Sequence, residues 1–500
     1  MTMRRQDLQL WLLTGFFGLL HLALAGRYDV FRNELYFIIC GRHPAFGYVD
    51  QPPLVPLIAA ATQVFGNSTW LLRLPAVLAA IAIIPLTARL ARLMGAGDWG
   101  VWFAALAAAM APMLLGISTI TTTETFEPLA WTGLAFLVSR AVTEDDRRAL
   151  PWAGLLAGIA LEVKYGMAFW LVALAVGIAA TRARRIFAWR EFWIGALIAI
   201  IIAAPNFIWQ AVHGWPFLEV TRRHSAGNLT GSPLAFAIRQ AVTMNLLLAP
   251  LWIAGIVGPF LRSGLKGLRF LSIAFIVTAA IIVASHGKDY YLVPAYPSLF
   301  ALGAAACGNL PRWLRLTWTG GAVVLSSLAA PVVLPLLDPP ALARYLDRTH
   351  LKPRPDEVAG IGAPLTQVFS DELGWRSFEK QVAAIYNALP PEDRAHAAIL
   401  AIDYGEAAAL DYYGPADGLP PALSGQNQYF LWGPRGYDGS IMLHINGRPE
   451  TWARFCQSSE IAGTFGAPYV MPYENDRPII LCHGLKRNLS ETWERFKHYD

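Results

Sequence analysis

Residues 32–54, RNELYFIICGRHPAFGYVDQPPL, concentrate side chains able to do chemistry. Two carboxylates, Glu34 and Asp50, stand among Arg32, Tyr36, Arg42, His43, Tyr48 and Gln51, and the stretch closes on the stiff pair Pro52 and Pro53. That mixture suits group transfer. A carboxylate takes the proton of an incoming hydroxyl or amine, Arg or Lys stabilises a departing phosphate, and aromatic faces form a platform for a sugar or prenyl chain. The bland alternative is a solvated loop between two apolar stretches, but such a loop needs only a few Gly, Ser or Asn residues.

Three more clusters sit at the ends of apolar stretches. TTTETFEPLAW places Glu124 and Glu127 where an apolar helix begins, a costly position for an unpaired carboxylate. LEVKYG puts Glu162 and Lys164 into a short hairpin, where they either meet a ligand or pair with each other. HGKDYYLVPAYP brings Lys288, Asp289, Tyr290 and Tyr291 to the end of a span. That is the place to hold a lipid phosphate or, alternatively, to anchor the span at the interface. There is no Asp-x-Asp motif and no His/Cys cluster at ligand spacing. No cofactor is therefore expected to be required, with a divalent metal left open.

The elements that must position these residues are membrane helices. Of 500 residues 55% are hydrophobic and only 15% charged, which is a membrane-protein composition. A net charge of +5 with dispersed Arg gives no support for a nucleic-acid partner. The basic start and apolar run of MTMRRQDLQLWLLTGFFGLLHLALAG read as an uncleaved first helix, because further spans follow. Spans are expected at 8–25, 69–93, 99–119, 125–142, 151–163, 166–182, 191–210, 240–261, 268–285, 289–308 and 314–336. The short pair at 151–182 reads as a partly re-entrant hairpin around Lys164.

With the N-terminus inside, alternate loops collect the basic residues: Arg4 and Arg5, Arg89 and Arg92, Arg147 and Arg148, Arg182 to Arg185, Arg262 to Arg269, Arg312 and Arg315. The opposite, outer face then receives the 26–68 loop and nearly every unusual polar cluster. The expected fold is an all-α polytopic membrane domain of about eleven helices over 1–337, followed by a small soluble α/β extracytoplasmic domain over 338–500. In the latter, DELGWRSFEKQVAAIYNALP reads as an amphipathic helix and AAILAIDYGEAAALDYYG as strand, turn and helix. QYFLW, SIMLHI and RPIILCHG read as short strands. Cys456 and Cys482 each lie beside a strand-like run; an oxidising compartment would permit a disulfide, and two isolated buried thiols are the alternative. Cys40 and Cys307 read as packing residues.

NELYFIICGRHPAFGYVDQPPL, RLPA in the second span, LEVKYG, APNFIWQAVHGWPFLE and KDYYLVPAYP, taken in this order, resemble the protein O-mannosyltransferase and aminoarabinose transferase superfamily. These are polyprenyl-phosphate-sugar-dependent glycosyltransferases of the GT-C fold. The run from Asp403 to Pro434 looks like the extracytoplasmic tail of an uncharacterised bacterial branch. The resemblance implies a multi-pass protein of the bacterial inner membrane, with its active site outside. It implies an undecaprenyl-phosphate-linked sugar donor, surrounding membrane lipids, and an acceptor that is a lipid, a glycan or a protein.

It also implies a catalytic acid in the first outer loop. Relatives begin that loop with adjacent Asp and Glu; here the pair reads Asn33 and Glu34. Before the Pro pair, where relatives carry Lys or His, stands Gln51. Glu34 ranks slightly ahead of Asp50 as the base. Substrate binding falls to Arg32, Tyr36, Arg42, His43, Tyr48, Gln51, Glu124, Glu127, Lys164, Lys288, Tyr290 and Tyr291. The competing readings are a transporter or flippase for a lipid-linked sugar, or a non-catalytic binder of one. A transporter would more often show paired repeats with Gly/Pro-broken helices, and none is evident. The topology is directly measurable: a periplasm-dependent phosphatase fused after Asp500 should be active and a cytoplasm-dependent reporter silent, and the reverse pattern would place these loops inside.

Overall fold

The computed structural model describes residues 5–228, 231–353 and 360–500. Arg4, counted above among the inside-facing residues, and residues 229–230 lie outside the described residues. The chain divides into two compact units. A helical unit takes the chain up to Arg27, Trp70–Trp209 and Asn228–Asp338; a sheet unit takes Tyr28–Thr69, Gln210–Gly227 and Pro339–Asp500.

In the helical unit each stretch expected to span is helical. Among the described residues, six helices are long and apolar enough to cross a bilayer. Two further pairs qualify as bent spans, and Asp98–Met110 and Ala149–Leu161 are shorter apolar helices. The protein is a multi-pass membrane protein. Breaks fall where backbone chemistry demands them. Pro112 lacks an N–H and disfavours a helical residue before it, so the stretch expected at 99–119 divides into Asp98–Met110 and Pro112–Ile117. The span expected at 240–261 is two helices bent by 100°, with Asn245 at φ 73° between them. Close helix packing rests on glycine: a Cβ on Gly303 would lie 1.9 Å from the Leu251 carbonyl oxygen, so only glycine lets Ala249–Leu261 and Tyr296–Cys307 approach as they do. Leu197, Ile200 and Ile201 of Arg190–Val212 remain exposed, as lipid-facing side chains do.

The sheet unit is built on five strands: β1 (Ala397–Ala401), β2 (Leu423–Ser424), β3 (Ile441–Ile445), β4 (Cys456–Phe465) and β5 (Arg477–Leu485). Their order is β2-β1-β3-β5-β4. β1 pairs parallel to β2 and β3, while β5 runs antiparallel to β3 and β4. The parallel β1–β2 pair requires a crossover, which the Tyr404–Tyr413 helix supplies. The expected amphipathic helix is Trp375–Ala388. QYFLW is not a strand: Asn427–Trp432 is a short helix ended by Gly433 at φ 73°. A five-residue apolar run carries no periodicity that separates a buried strand from a buried helical turn. β4 escaped notice because its residues are mostly exposed and polar.

The 28–69 segment folds as part of this unit. Helix Arg32–Arg42 buries every side chain from Glu34 to Cys40, and Gly41 abuts helix Leu54–Thr62, where a Cβ would lie 2.0 Å from the Pro56 carbonyl oxygen. Val49 and Val220 share one apolar core with Ala398, Leu400, Met442 and Ile480. Cys456 and Cys482 are joined by a disulfide across β4 and β5, with Cα atoms 5.8 Å apart. Cys40 and Cys307 are free thiols. Alkylation of denatured, unreduced protein should therefore modify Cys40 and Cys307 alone, and modify Cys456 and Cys482 only after reduction; labelling of the latter pair without reductant would reject the bridge.

Candidate functional site

The sheet unit assembles the first cluster around helix Arg32–Arg42. Phe31 is extended and the helix starts after it, so the Phe31 N–H needs an acceptor. Glu34 supplies it: Oε2 accepts that N–H at 2.9 Å, and the residue has no exposed surface. This is the reciprocal half of a capping box. Arg32 and Tyr36 lie four residues apart and hence on one face. Arg32 pairs with Asp403 at 3.3 Å, donates to Tyr473 Oη at 3.2 Å, and stacks 4.5 Å from the Tyr404 ring centre. Asn33 Oδ1 accepts the Tyr404 hydroxyl at 2.9 Å.

Tyr36 donates its hydroxyl to Asp50 Oδ1 at 2.9 Å and accepts the Gln428 backbone N–H at 3.1 Å. Gln428 Oε1 in turn accepts the Val49 N–H at 3.2 Å. Tyr48 closes the turn, donating its backbone N–H to the Gln51 carbonyl at 3.0 Å and its hydroxyl to the Cys40 carbonyl at 2.8 Å. Its own carbonyl accepts Gln210 Nε2 at 2.9 Å. Asp50 is thus fixed from both sides yet keeps partly exposed surface. Burial pushes its carboxyl up to about 6, and the Tyr36 hydrogen bond holds it below where burial alone would leave it. Gln51 is buried beside it. Arg42 and His43 are exposed at the helix end: Arg42 lies 5.5 Å from the Tyr412 ring centre and the His43 ring 4.9 Å from Trp432. Burial, then Arg435 and Arg42, pull the His43 imidazole below its usual range.

In the helical unit Lys164 does not pair with Glu162. Its ammonium meets Glu124 at 3.0 Å and Glu127 at 3.2 Å, and stands 4.6 Å from the Tyr291 ring centre. Both acids lie in the first turns of Thr123–Thr143, three residues apart on one face, so a single cation reaches both. Gly166 makes room: a Cβ there would lie 2.5 Å from Glu127 Oε1. The Tyr291 ring thus joins Lys164, while its N–H donates to the Lys288 carbonyl at 3.1 Å and the Lys288 ammonium sits 5.9 Å from the Tyr290 ring centre. Asp289 is bound by Arg239, one contact being 3.0 Å, and its carbonyl accepts Gln240 Nε2.

The family model described as dolichyl-phosphate-mannose-protein mannosyltransferase matches residues 50–209. A comparison with curated proteins returns no match. Among solved structures, apo ArnT from Cupriavidus metallidurans aligns over 95% of this chain and 97% of its own, with 16% identity and a TM-score of 0.65. The same protein bound to undecaprenyl phosphate aligns over equal shares, with 15% identity and a TM-score of 0.61. The chain has the GT-C fold.

Within this GT-C chain, Tyr404, Asp403, Tyr473, Gln428 and Arg239 were not foreseen as site residues. One signal was legible: Asp403-Tyr-Gly-Glu406 after an apolar run is a capping-box spacing, and Asp403 Oδ1 does accept the Gly405 and Glu406 N–H groups at 2.7 and 2.9 Å. Gln428 acts on Tyr36 through its backbone N–H, which no side-chain pattern reveals. The Lys164 cluster makes a stability prediction. Lys164→Ala leaves two carboxylates facing one another, and should destabilise the protein by roughly 3 kcal/mol. Adding Glu127→Gln should recover part of that loss in thermal unfolding of the detergent-solubilised protein; no recovery would mean that the pairing is not what Lys164 supplies.

Proposed function

We propose that this protein is a membrane glycosyltransferase that moves a sugar from a polyprenyl-phosphate donor to an extracytoplasmic acceptor, with Asp50 as general base. The observation that carries this reading is the Asp50–Tyr36–Gln428 arrangement: a partly exposed carboxylate, fixed by a buried tyrosine, with its pKa raised toward neutrality. A base is most effective when its pKa approaches the working pH. Glu34, ranked ahead on the sequence, is enclosed and spends its carboxylate on the start of its own helix. The fold shared with a protein whose structure holds undecaprenyl phosphate supports the lipid donor. The matched family description supports sugar transfer from a polyprenyl phosphate.

In this reaction the acceptor oxygen or nitrogen attacks the anomeric carbon of the sugar. Its proton passes to Asp50, the bond from that carbon to the phosphate oxygen breaks, and polyprenyl phosphate leaves. The active face is extracytoplasmic and the membrane a bacterial inner membrane. The transfer reading calls for no cofactor.

Asp50→Asn is near-isosteric and should slow transfer roughly 10²–10⁴-fold while donor binding holds. A transporter or passive binder would show no covalent transfer in the wild type. The base must be ionised, so the rate should rise with pH through about 6 and level off above it. Tyr36→Phe removes the hydrogen bond that lowers the Asp50 pKa, and should move that limb to higher pH. An unchanged limb in both variants would return the role to Glu124 or Glu127.

A further inference from the structure

Asp403, Glu406 and Glu474 bring three carboxylates together in the sheet unit, away from Asp50 in their hydrogen bonding. One oxygen from each lies within 4.8 Å of the others. Two of the three are preset by the backbone. Asp403 Oδ1 caps the Tyr404–Tyr413 helix through the Gly405 and Glu406 N–H groups, and Glu406 Oε2 accepts the Ile402 N–H at 2.8 Å. Asp403 and Glu406 are three residues apart and so share one helix face. Glu474 arrives from elsewhere, in the turn that leads into β5, where its N–H bonds the Met471 carbonyl.

Glu474 supplies the second observation. It is only 5% exposed, its carboxylate lies in this cluster, and its Oε1 meets no hydrogen-bond donor among the described residues. A buried polar atom without a partner carries a cost that a native fold does not normally leave uncompensated. The nearby counter-charge is incomplete: Arg32 meets Asp403 at 3.3 Å, one guanidinium against three carboxylates. With all three ionised, two negative charges remain, the number that one divalent cation neutralises.

We propose that Asp403, Glu406 and Glu474 bind a hard divalent cation, best matched by Ca²⁺. All-oxygen ligands select Ca²⁺, Mg²⁺ or Mn²⁺ over softer-site metals. Ca²⁺ takes six to eight oxygens in flexible geometry at about 2.4 Å, whereas Mg²⁺ at about 2.1 Å demands a tighter octahedron and keeps more water. The bound ion joins the turn before β5 to the start of the Tyr404–Tyr413 helix. That helix carries Tyr404, the residue stacked on Arg32 and bonded to Asn33. The role is structural and independent of which acid is the base.

The test uses the full chain in detergent, stripped with EDTA. Tyr404 and Tyr473 are the chain neighbours of two ligands and will sensitise Tb³⁺ luminescence. Wild-type protein should bind Tb³⁺ saturably, release it to Ca²⁺, and gain thermal stability with Ca²⁺ more than with Mg²⁺. Glu474→Gln should weaken Tb³⁺ and Ca²⁺ binding by about tenfold or more and abolish the thermal shift. Glu406→Gln repeats the measurement if that variant does not fold. An equal response in wild type and both variants overturns the proposal. So does a wild type indifferent to Ca²⁺, Mg²⁺ and Mn²⁺ together with a Glu474→Gln variant that is more stable in EDTA, the result of carboxyls that share a proton instead.

Discussion

A single guanidinium organises the sheet unit. Arg32 is part-buried, bonded to Asp403 and Tyr473, and enclosed by the Tyr404 and Tyr473 rings, while its backbone N–H donates to the Asp371 carbonyl. A buried charge must be paired and hydrogen-bonded, or the fold loses several kcal/mol. Residues from three distant parts of the chain are therefore obliged to meet at the first residue of helix Arg32–Arg42. Arginine suits this where lysine would not, because its planar fork serves an anion, a hydroxyl and two aromatic faces at once. Once that helix is fixed at Arg32, Tyr36 follows one turn later, and Tyr36 is what orients Asp50.

The helical unit faces the same constraint in a harsher solvent. In hydrocarbon an unpaired carboxylate or ammonium is costly, so charges near the ends of apolar helices collect into groups. Lys164 takes Glu124 and Glu127, and Asp289 takes Arg239. The pairing changes the chemistry available. A lysine already facing two carboxylates is a weak attractor for a phosphate. Gly166 shows how closely this group is fitted, since a methyl there would intrude on Glu127.

Two acids in the same loop illustrate how environment divides roles. Each stands between an apolar and an amide residue in the sequence, Glu34 between Asn33 and Leu35 and Asp50 between Val49 and Gln51. Folding encloses Glu34 beneath its own helix start and leaves Asp50 with accessible surface and a raised pKa. Nothing in the identity of either residue distinguishes them; the direction of one helix does.

The sequence by itself determined the membrane class, the helical stretches and a small α/β unit toward the C-terminus, because hydropathy and periodicity are local properties of a chain, whereas it did not show that Tyr28–Thr69 and Gln210–Gly227 fold with that unit. It also marked the 32–54 segment as chemically unusual and the run through Asp403 and Glu406 as strand, turn and helix. Tertiary structure decided the rest. The partner of Lys164 is a helix 40 residues away and not its neighbour Glu162. QYFLW is a helical turn, since a short apolar run is equally compatible with either state until its surroundings are fixed. Asp50 depends on Tyr36 and on the backbone of Gln428, and the carboxylate trio needs Glu474 from a turn that no motif marks. Charge pairing and desolvation act through space, so they appear only when distant segments have been brought together.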